Sequence, residues 1–156
     1  MSVLLLSAHI LVAIVFVGSV TVAASLFPRY ARRAVAELPV SGADVAVAAM
    51  LHRITRVYAL ASLAVPVLGI ATALRLGVLG ETWVMVSTTL TAVAGAILAL
   101  AVMPGQRRVL ATLERLDAAV GSLPRLAMVT GIFNLLWVAV VVLMVLRPGS
   151  TTLVHP

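Results

Sequence analysis

Val3-Leu4-Leu5-Leu6-Ser7-Ala8-His9-Ile10-Leu11-Val12-Ala13-Ile14-Val15-Phe16-Val17-Gly18-Ser19-Val20-Thr21-Val22-Ala23-Ala24-Ser25-Leu26-Phe27, followed by Pro28-Arg29-Tyr30-Ala31-Arg32-Arg33, is the stretch that decides the fold. It holds no acid and no Arg, and its one ionisable side chain is His9. A helix rises ~1.5 Å per residue, so roughly 20 apolar residues cross a hydrocarbon core of ~30 Å. The run is long enough to do so, and the arginines behind it mark one end. Thr21-Val22-Ala23-Ala24-Ser25 has the small residues of a signal-peptide cleavage site. The run lacks a basic leader and exceeds the length of a signal core, so it reads as a retained helix.

Composition extends this reading to the whole chain. Of 156 residues, 63% are hydrophobic and 10% are charged, and the mean hydropathy is +1.20. So few charges do not cover a soluble domain of this size. Three further apolar stretches lie at about 57–74, 83–103 and 126–146, beside the first at 3–27. The expectation is an all-α polytopic membrane protein, a bundle of four transmembrane helices forming one domain over 1–147, with a short tail at 148–156.

The connections sort by charge. All eleven basic residues are Arg. Arg29, Arg32, Arg33, Arg53 and Arg56 flank the first connection, and Arg107, Arg108, Arg115 and Arg125 flank the third, nine of the eleven. The positive-inside rule puts these two connections in the cytoplasm and both termini outside. A bacterial plasma membrane, crossed several times, is the expected location. The net charge of +6 does not point to nucleic acid, because the arginines gather at membrane boundaries. Anionic headgroups are the expected partners of Arg29, Arg32, Arg33, Arg53, Arg56, Arg107 and Arg108.

Local signals refine the helices. Ser41-Gly42-Ala43-Asp44 resembles a capping box, so helix 2 is expected to begin before the membrane. Pro66 predicts a kink near mid-membrane. Trp83 and Tyr58 suit the two interfaces. Pro104-Gly105 ends or bends helix 3, and an amphipathic stretch with Val109, Leu110, Leu113 and Leu116 follows at the surface or as an extension. Gly18, Ser19 and Gly95 are expected at close helix approaches. Matching Pro and Arg-Arg spacings after helices 1 and 3 suggest a duplicated hairpin.

Candidate chemistry is sparse. Without Cys there are no disulfides, thiolate nucleophiles or iron–sulfur clusters. All five acids fall in connections, which weighs against a cation-coupled transporter. His9 lies ~9 Å inside the membrane boundary by helix rise. Ser87, Thr88 and Thr91 reach the same depth if Trp83 marks the edge. These four form the candidate cluster: a hydrogen-bonded polar group, or a haem or metal site built on His9. Met85 is a paper partner for such a haem. His52 lies at the other end and reads as a headgroup or loop contact. Asn134, with Thr130 one turn before it, reads as packing glue between helices.

Ser7-Ala8-His9-Ile10, Gly18 and Phe27-Pro28-Arg29-Tyr30 carry a family resemblance, together with Met103-Pro104-Gly105-Gln106-Arg107-Arg108 and Phe133-Asn134-Leu135-Leu136-Trp137. The chain resembles small bacterial membrane families that include copper-resistance D-type proteins and HemJ-type protoporphyrinogen oxidases. It is closest to a related family of predicted integral membrane proteins, with an actinobacterial cast of composition. The resemblance implies a four-helix core and, from the oxidases, haem b bound through the His of helix 1, here His9. It also implies a Lys in helix 3, which this chain lacks.

The function expected from the residues is a non-catalytic accessory or assembly subunit. It would act through helix contacts, as a homo-oligomer or in a larger membrane complex. A haem- or metal-handling protein and a small-solute transporter are the alternatives.

Overall fold

The structure is a computed structural model, and it describes residues 2–36, 42–115 and 119–149. These fold into four helices long and apolar enough to cross a membrane: α1 Val3–Ala36, α2 Gly42–Leu76, α3 Thr82–Leu113 and α4 Leu123–Leu146. Each turns a large aliphatic side chain outward, shown by Leu4 at 73%, Leu60 at 71%, Leu100 at 78% and Val145 at 74% exposure. An apolar exterior of this extent is stable against lipid and not against water.

The first three helices outrun their apolar cores. Arginines at helix ends keep their charged heads in water while their stems lie along apolar surface, so the helix does not stop where the hydropathy falls. Pro28 sits inside α1, which continues helically through Pro28-Arg29 to Ala36. The amphipathic segment after Pro104 is an extension of α3. Ser41 of the expected capping box, and the tail beyond Gly149, lie outside the described residues.

Three of the four helices depart from α geometry, and two departures trace to proline. In α2 the ladder breaks at Ser62 and Leu63. Pro66 has no N–H for the Ser62 carbonyl, which accepts from Val65 N–H instead at 2.9 Å. In α3 a wide π turn spans Leu98–Val102, immediately before Pro104, whose ring would crowd the carbonyl of Leu100 in a regular helix. In α1 a π turn covers Ala13–Val17, where no proline lies.

The α2–α3 turn closes with Gly77 at φ 69°, the left-handed conformation a glycine adopts without a Cβ penalty. Val78 N–H donates to Ala73 O at 3.1 Å and Gly77 N–H to Leu74 O at 3.3 Å, a Schellman ending. We call this side of the bundle the turn end and the opposite, arginine-rich side the basic end.

Packing differs between the two ends. Toward the basic end α1 is the common partner of α2, α3 and α4. Ala23, Ala31 and Ala34 of α1 and Ala48 of α2 bring backbones close around Phe27, with Leu51, Val109, Leu113, Leu123 and Leu126 completing the cluster. A second cluster, Val20, Ala24, Ala94, Leu98, Val102 and Phe133, fills the middle. Toward the turn end α1 packs on α2 and α3 on α4, while the two pairs touch each other little. The bundle therefore forms two hairpins joined at the basic end and parted at the turn end.

Glycine use follows this division. A Cβ added at Gly18 or Gly95 would meet nothing within 4 Å. The expected close approaches at those positions are absent, because Gly18 faces the parting between the hairpins and Gly95 is exposed. The tight contacts are at Gly69, against His9, and at Gly105, where a Cβ would come 2.8 Å from Leu126 Cδ1.

Candidate functional site

The parting between the hairpins encloses a cavity of about 590 Å³. It runs from Leu79, Trp83 and Arg147 at the turn end down to Gly18, Thr21 and Asn134 near the middle, with walls from all four helices. Its α1 wall includes His9, Ala13, Val17 and Thr21. Three steps of four residues drift by about 120° around a regular helix. The wide turn over Ala13–Val17 takes up most of that drift, which keeps these side chains on one face.

His9 is 7% exposed. Its ring rests on α2 where Gly69 has no side chain: a Cβ there would lie 2.9 Å from Cε1, 3.4 Å from Nδ1 and 3.6 Å from Nε2. Val65, one turn earlier on α2, also lines the cavity. His9 Nδ1 is buried and has no partner.

Ser87, 1% exposed, is in the same state. Its own backbone carbonyl accepts from Thr91 Oγ1 at 2.8 Å, yet its hydroxyl has no partner. At the deep end Asn134 Nδ2 donates to Ser25 Oγ at 2.9 Å, tying α4 to α1, while Asn134 Oδ1 is buried and unpartnered. Trp137 stands edge-on to Phe133, with centroids 6.4 Å apart, and its Nε1–H is unpartnered. Five buried side-chain polar atoms lack partners among the described residues, and four of them belong to residues of this cavity wall. Native interiors pair nearly all such atoms with protein or water, so four of them on residues around one cavity mark the region out.

The mouth is tied shut on one side. The Trp83 indole N–H donates to the Glu81 carboxylate, and the Arg147 guanidinium lies 5.7 Å from the Trp83 ring centroid. Arg147 itself ends α4 in the left-handed conformation, at φ 43°. Among the described residues, His9 and Arg147 are the only ionisable ones of the lining, and no carboxylate belongs to it.

The four residues expected to cluster, His9, Ser87, Thr88 and Thr91, all line this one cavity. Met85 does not belong to the wall and is 61% exposed; the methionine that lines the cavity is Met144. Among the described residues there is no group of three or more His, Asp or Glu placed to hold a metal ion. Thr130 is buried, and its hydroxyl donates to Leu126 O at 2.9 Å, so the glue between helices is the Asn134–Ser25 pair. The sequence picks out Trp137, in the Phe133–Trp137 stretch with Asn134, but neither Ser25 nor Gly69 as a site residue. A polar residue inside an apolar run marks Ser25, whereas nothing in the sequence distinguishes Gly69 from Gly18.

His52 is buried rather than at a headgroup. Its Nδ1 lies 2.9 Å from Gln106 Oε1, joining α2 to α3 toward the basic end, far along the bundle from His9. The arginines named as headgroup contacts are all exposed. Arg33 lies 3.8 Å from Asp44 and 5.7 Å from the Tyr30 ring centroid.

Comparison with protein-family models, curated proteins and solved structures found no match to this chain.

Proposed function

We propose that this is a non-catalytic protein of the bacterial plasma membrane that holds a lipid-soluble small molecule between its two hairpins. The observation that carries the reading is a largely apolar cavity between the hairpins, four of whose lining residues hold a buried polar atom without a partner. Small-molecule sites combine these features, an apolar enclosure with a few convergent polar groups. The complementary ligand is mostly hydrocarbon or aromatic. It carries at least one acceptor oxygen, because Trp137 Nε1–H only donates, and at least one hydroxyl, because Asn134 Oδ1 only accepts. A hydroxylated lipid with a second oxygen, such as a quinol, has this character. Catalysis is disfavoured by the wall's chemistry: among the described residues no carboxylate lines the cavity with His9, and the Glu81 carboxylate at the mouth is engaged by Trp83, so the paired acid and base that proton transfer uses are not assembled.

In this reading the basic end faces the cytoplasm, in accord with the clustering of nine arginines around the two connections there. The cavity then opens toward the outer leaflet, where a membrane-dissolved ligand enters without crossing the apolar clusters that close the other half.

A second reading has one specific support. His9 lines the cavity and its buried Nδ1 has no partner, with Arg147 at the mouth to meet a carboxylate. Haem would be held there by His9, and when bound it would supply redox or gas-binding chemistry.

The test is organic extraction and mass spectrometry of protein purified in mild detergent, with an absorption spectrum of the same sample. A lipophilic molecule retained by the wild type and lost from Gly18→Leu, which fills the cavity, is the expected result. A Soret band lost in His9→Ala establishes the haem reading instead. Identical extracts from wild type and Gly18→Leu, with no Soret band, overturn both.

A further inference from the structure

A second recess of about 190 Å³ lies between α1 and α4 on the basic side of Asn134. Arg29 and Arg32 line it from α1, and Thr130, Gly131 and Asn134 from α4. We infer that this recess is a binding site for a phosphate-bearing anion, most simply the headgroup phosphodiester of an anionic membrane lipid. The inference is independent of any ligand in the larger cavity.

Three observations support it. Arg29 and Arg32 are one turn apart, so both guanidinium groups serve one side of the helix. Neither has an ion-pair partner among the described residues, whereas Arg33, on the neighbouring face, lies beside Asp44. Two like charges on adjacent turns repel unless an anion joins them, and guanidinium groups match phosphate oxygens with paired N–H donors. The facing wall is open: a Cβ at Gly131 would meet nothing within 4 Å, which leaves room for a headgroup against the backbone of α4. The position also suits the ligand. The recess begins at the Ser25–Asn134 hydrogen bond and runs to the arginines at the helix end, so acyl chains would lie along the apolar exterior while the phosphate stays at the boundary. Basic recesses between transmembrane helices on the cytoplasmic side recognise anionic lipids in this way.

The experiment is native mass spectrometry of the full chain in a neutral detergent, titrated with phosphatidylglycerol or phosphatidylcholine. Inorganic phosphate is added in a parallel arm. Arg29→Gln/Arg32→Gln should lower retention of phosphatidylglycerol at least tenfold. Arg115→Gln/Arg125→Gln removes the same charge at the same end of the bundle but outside the recess, and should leave retention within twofold of wild type. Gly131→Leu keeps every charge but fills the recess, and it too should lose the lipid, which separates a built site from diffuse attraction. Displacement of phosphatidylglycerol by millimolar inorganic phosphate identifies a soluble phosphate as the ligand; resistance to it identifies the lipid. Equal losses in the two arginine pairs, unchanged retention in Gly131→Leu, or equal retention of phosphatidylcholine by the wild type would overturn the inference. Each variant is first checked for the wild-type elution profile.

Discussion

The imidazole of His9 lies against the backbone of Gly69, so close that a Cβ at Gly69 would come 2.9 Å from its Cε1. This contact joins α1 to α2 at the turn end, where no apolar cluster does so. Gly69→Ala must displace the ring or part the helices, and overpacking of this kind costs about 1–3 kcal/mol. Gly18→Ala, open to the cavity, should change stability by no more than about 0.5 kcal/mol. Thermal unfolding in detergent compares the two. Truncating the ring in His9→Ala/Gly69→Ala should recover much of the loss, because residues in contact do not add. Equal effects of the two glycine substitutions would contradict the contact.

Ser87 gives a prediction that separates an empty cavity from a filled one. Its hydroxyl is buried without a protein partner, and an unsatisfied buried group costs about 1–3 kcal/mol. Ser87→Ala should therefore stabilise protein stripped of small molecules, seen as a raised unfolding temperature. With ligand present the same substitution should narrow or reverse that gain, because it removes one of the ligand's hydrogen bonds. Unfolding curves before and after delipidation read both quantities.

How far these features were legible in the sequence depends on how local their causes are. The four apolar spans follow from composition within each segment, and the proline in α2 announces its break. His9 and Ser87 could be brought to one depth because helix rise is constant and Trp83 supplies a reference edge. The Asn134–Ser25 bond was not legible, since it depends on how α4 is rotated against α1. The same limit hid the difference between Gly18 and Gly69, which are chemically identical and differ only in what stands opposite. The π turn at Ala13–Val17 has no sequence mark, yet it sets which residues of α1 face the cavity. His52 reads from the sequence as a headgroup or loop contact, yet α2 runs past its apolar core and carries it into the packed interior against Gln106 of α3.

That buried pair should behave as a unit. His52 and Gln106 are 8% and 0% exposed, and they meet at 2.9 Å. Gln106→Leu leaves the His52 nitrogen without its partner and should destabilise by about 1–3 kcal/mol. His52→Leu should do the same to the Gln106 carbonyl oxygen. The double variant, apolar on both sides, should lie nearer wild type than the sum of the two, since no polar atom of the pair is then stranded. A double-mutant cycle from unfolding midpoints measures the coupling, and strict additivity would show that the two side chains do not interact.

The orientation of the bundle admits a direct test, because the chain contains no Cys and single-cysteine variants need no background removed. Thr82 at the turn end and Ala111 beyond Arg107 and Arg108 are both exposed, so substitution at either disturbs no packing. With the basic end in the cytoplasm, Thr82→Cys should react with a membrane-impermeant maleimide in intact cells, or in spheroplasts where an outer envelope blocks access. Ala111→Cys should react only after permeabilisation. The physical reason is the cost of carrying Arg29, Arg32, Arg33, Arg107 and Arg108 through the hydrocarbon core, about 2.5–3.5 kcal/mol each on insertion scales. Adding arginines at the turn, as Gly80→Arg/Thr82→Arg, should weaken the bias and yield a mixed labelling pattern at Ala111→Cys. Labelling of Ala111→Cys in intact cells without added arginines would invert the orientation, and with it the leaflet from which the cavity between the hairpins is reached.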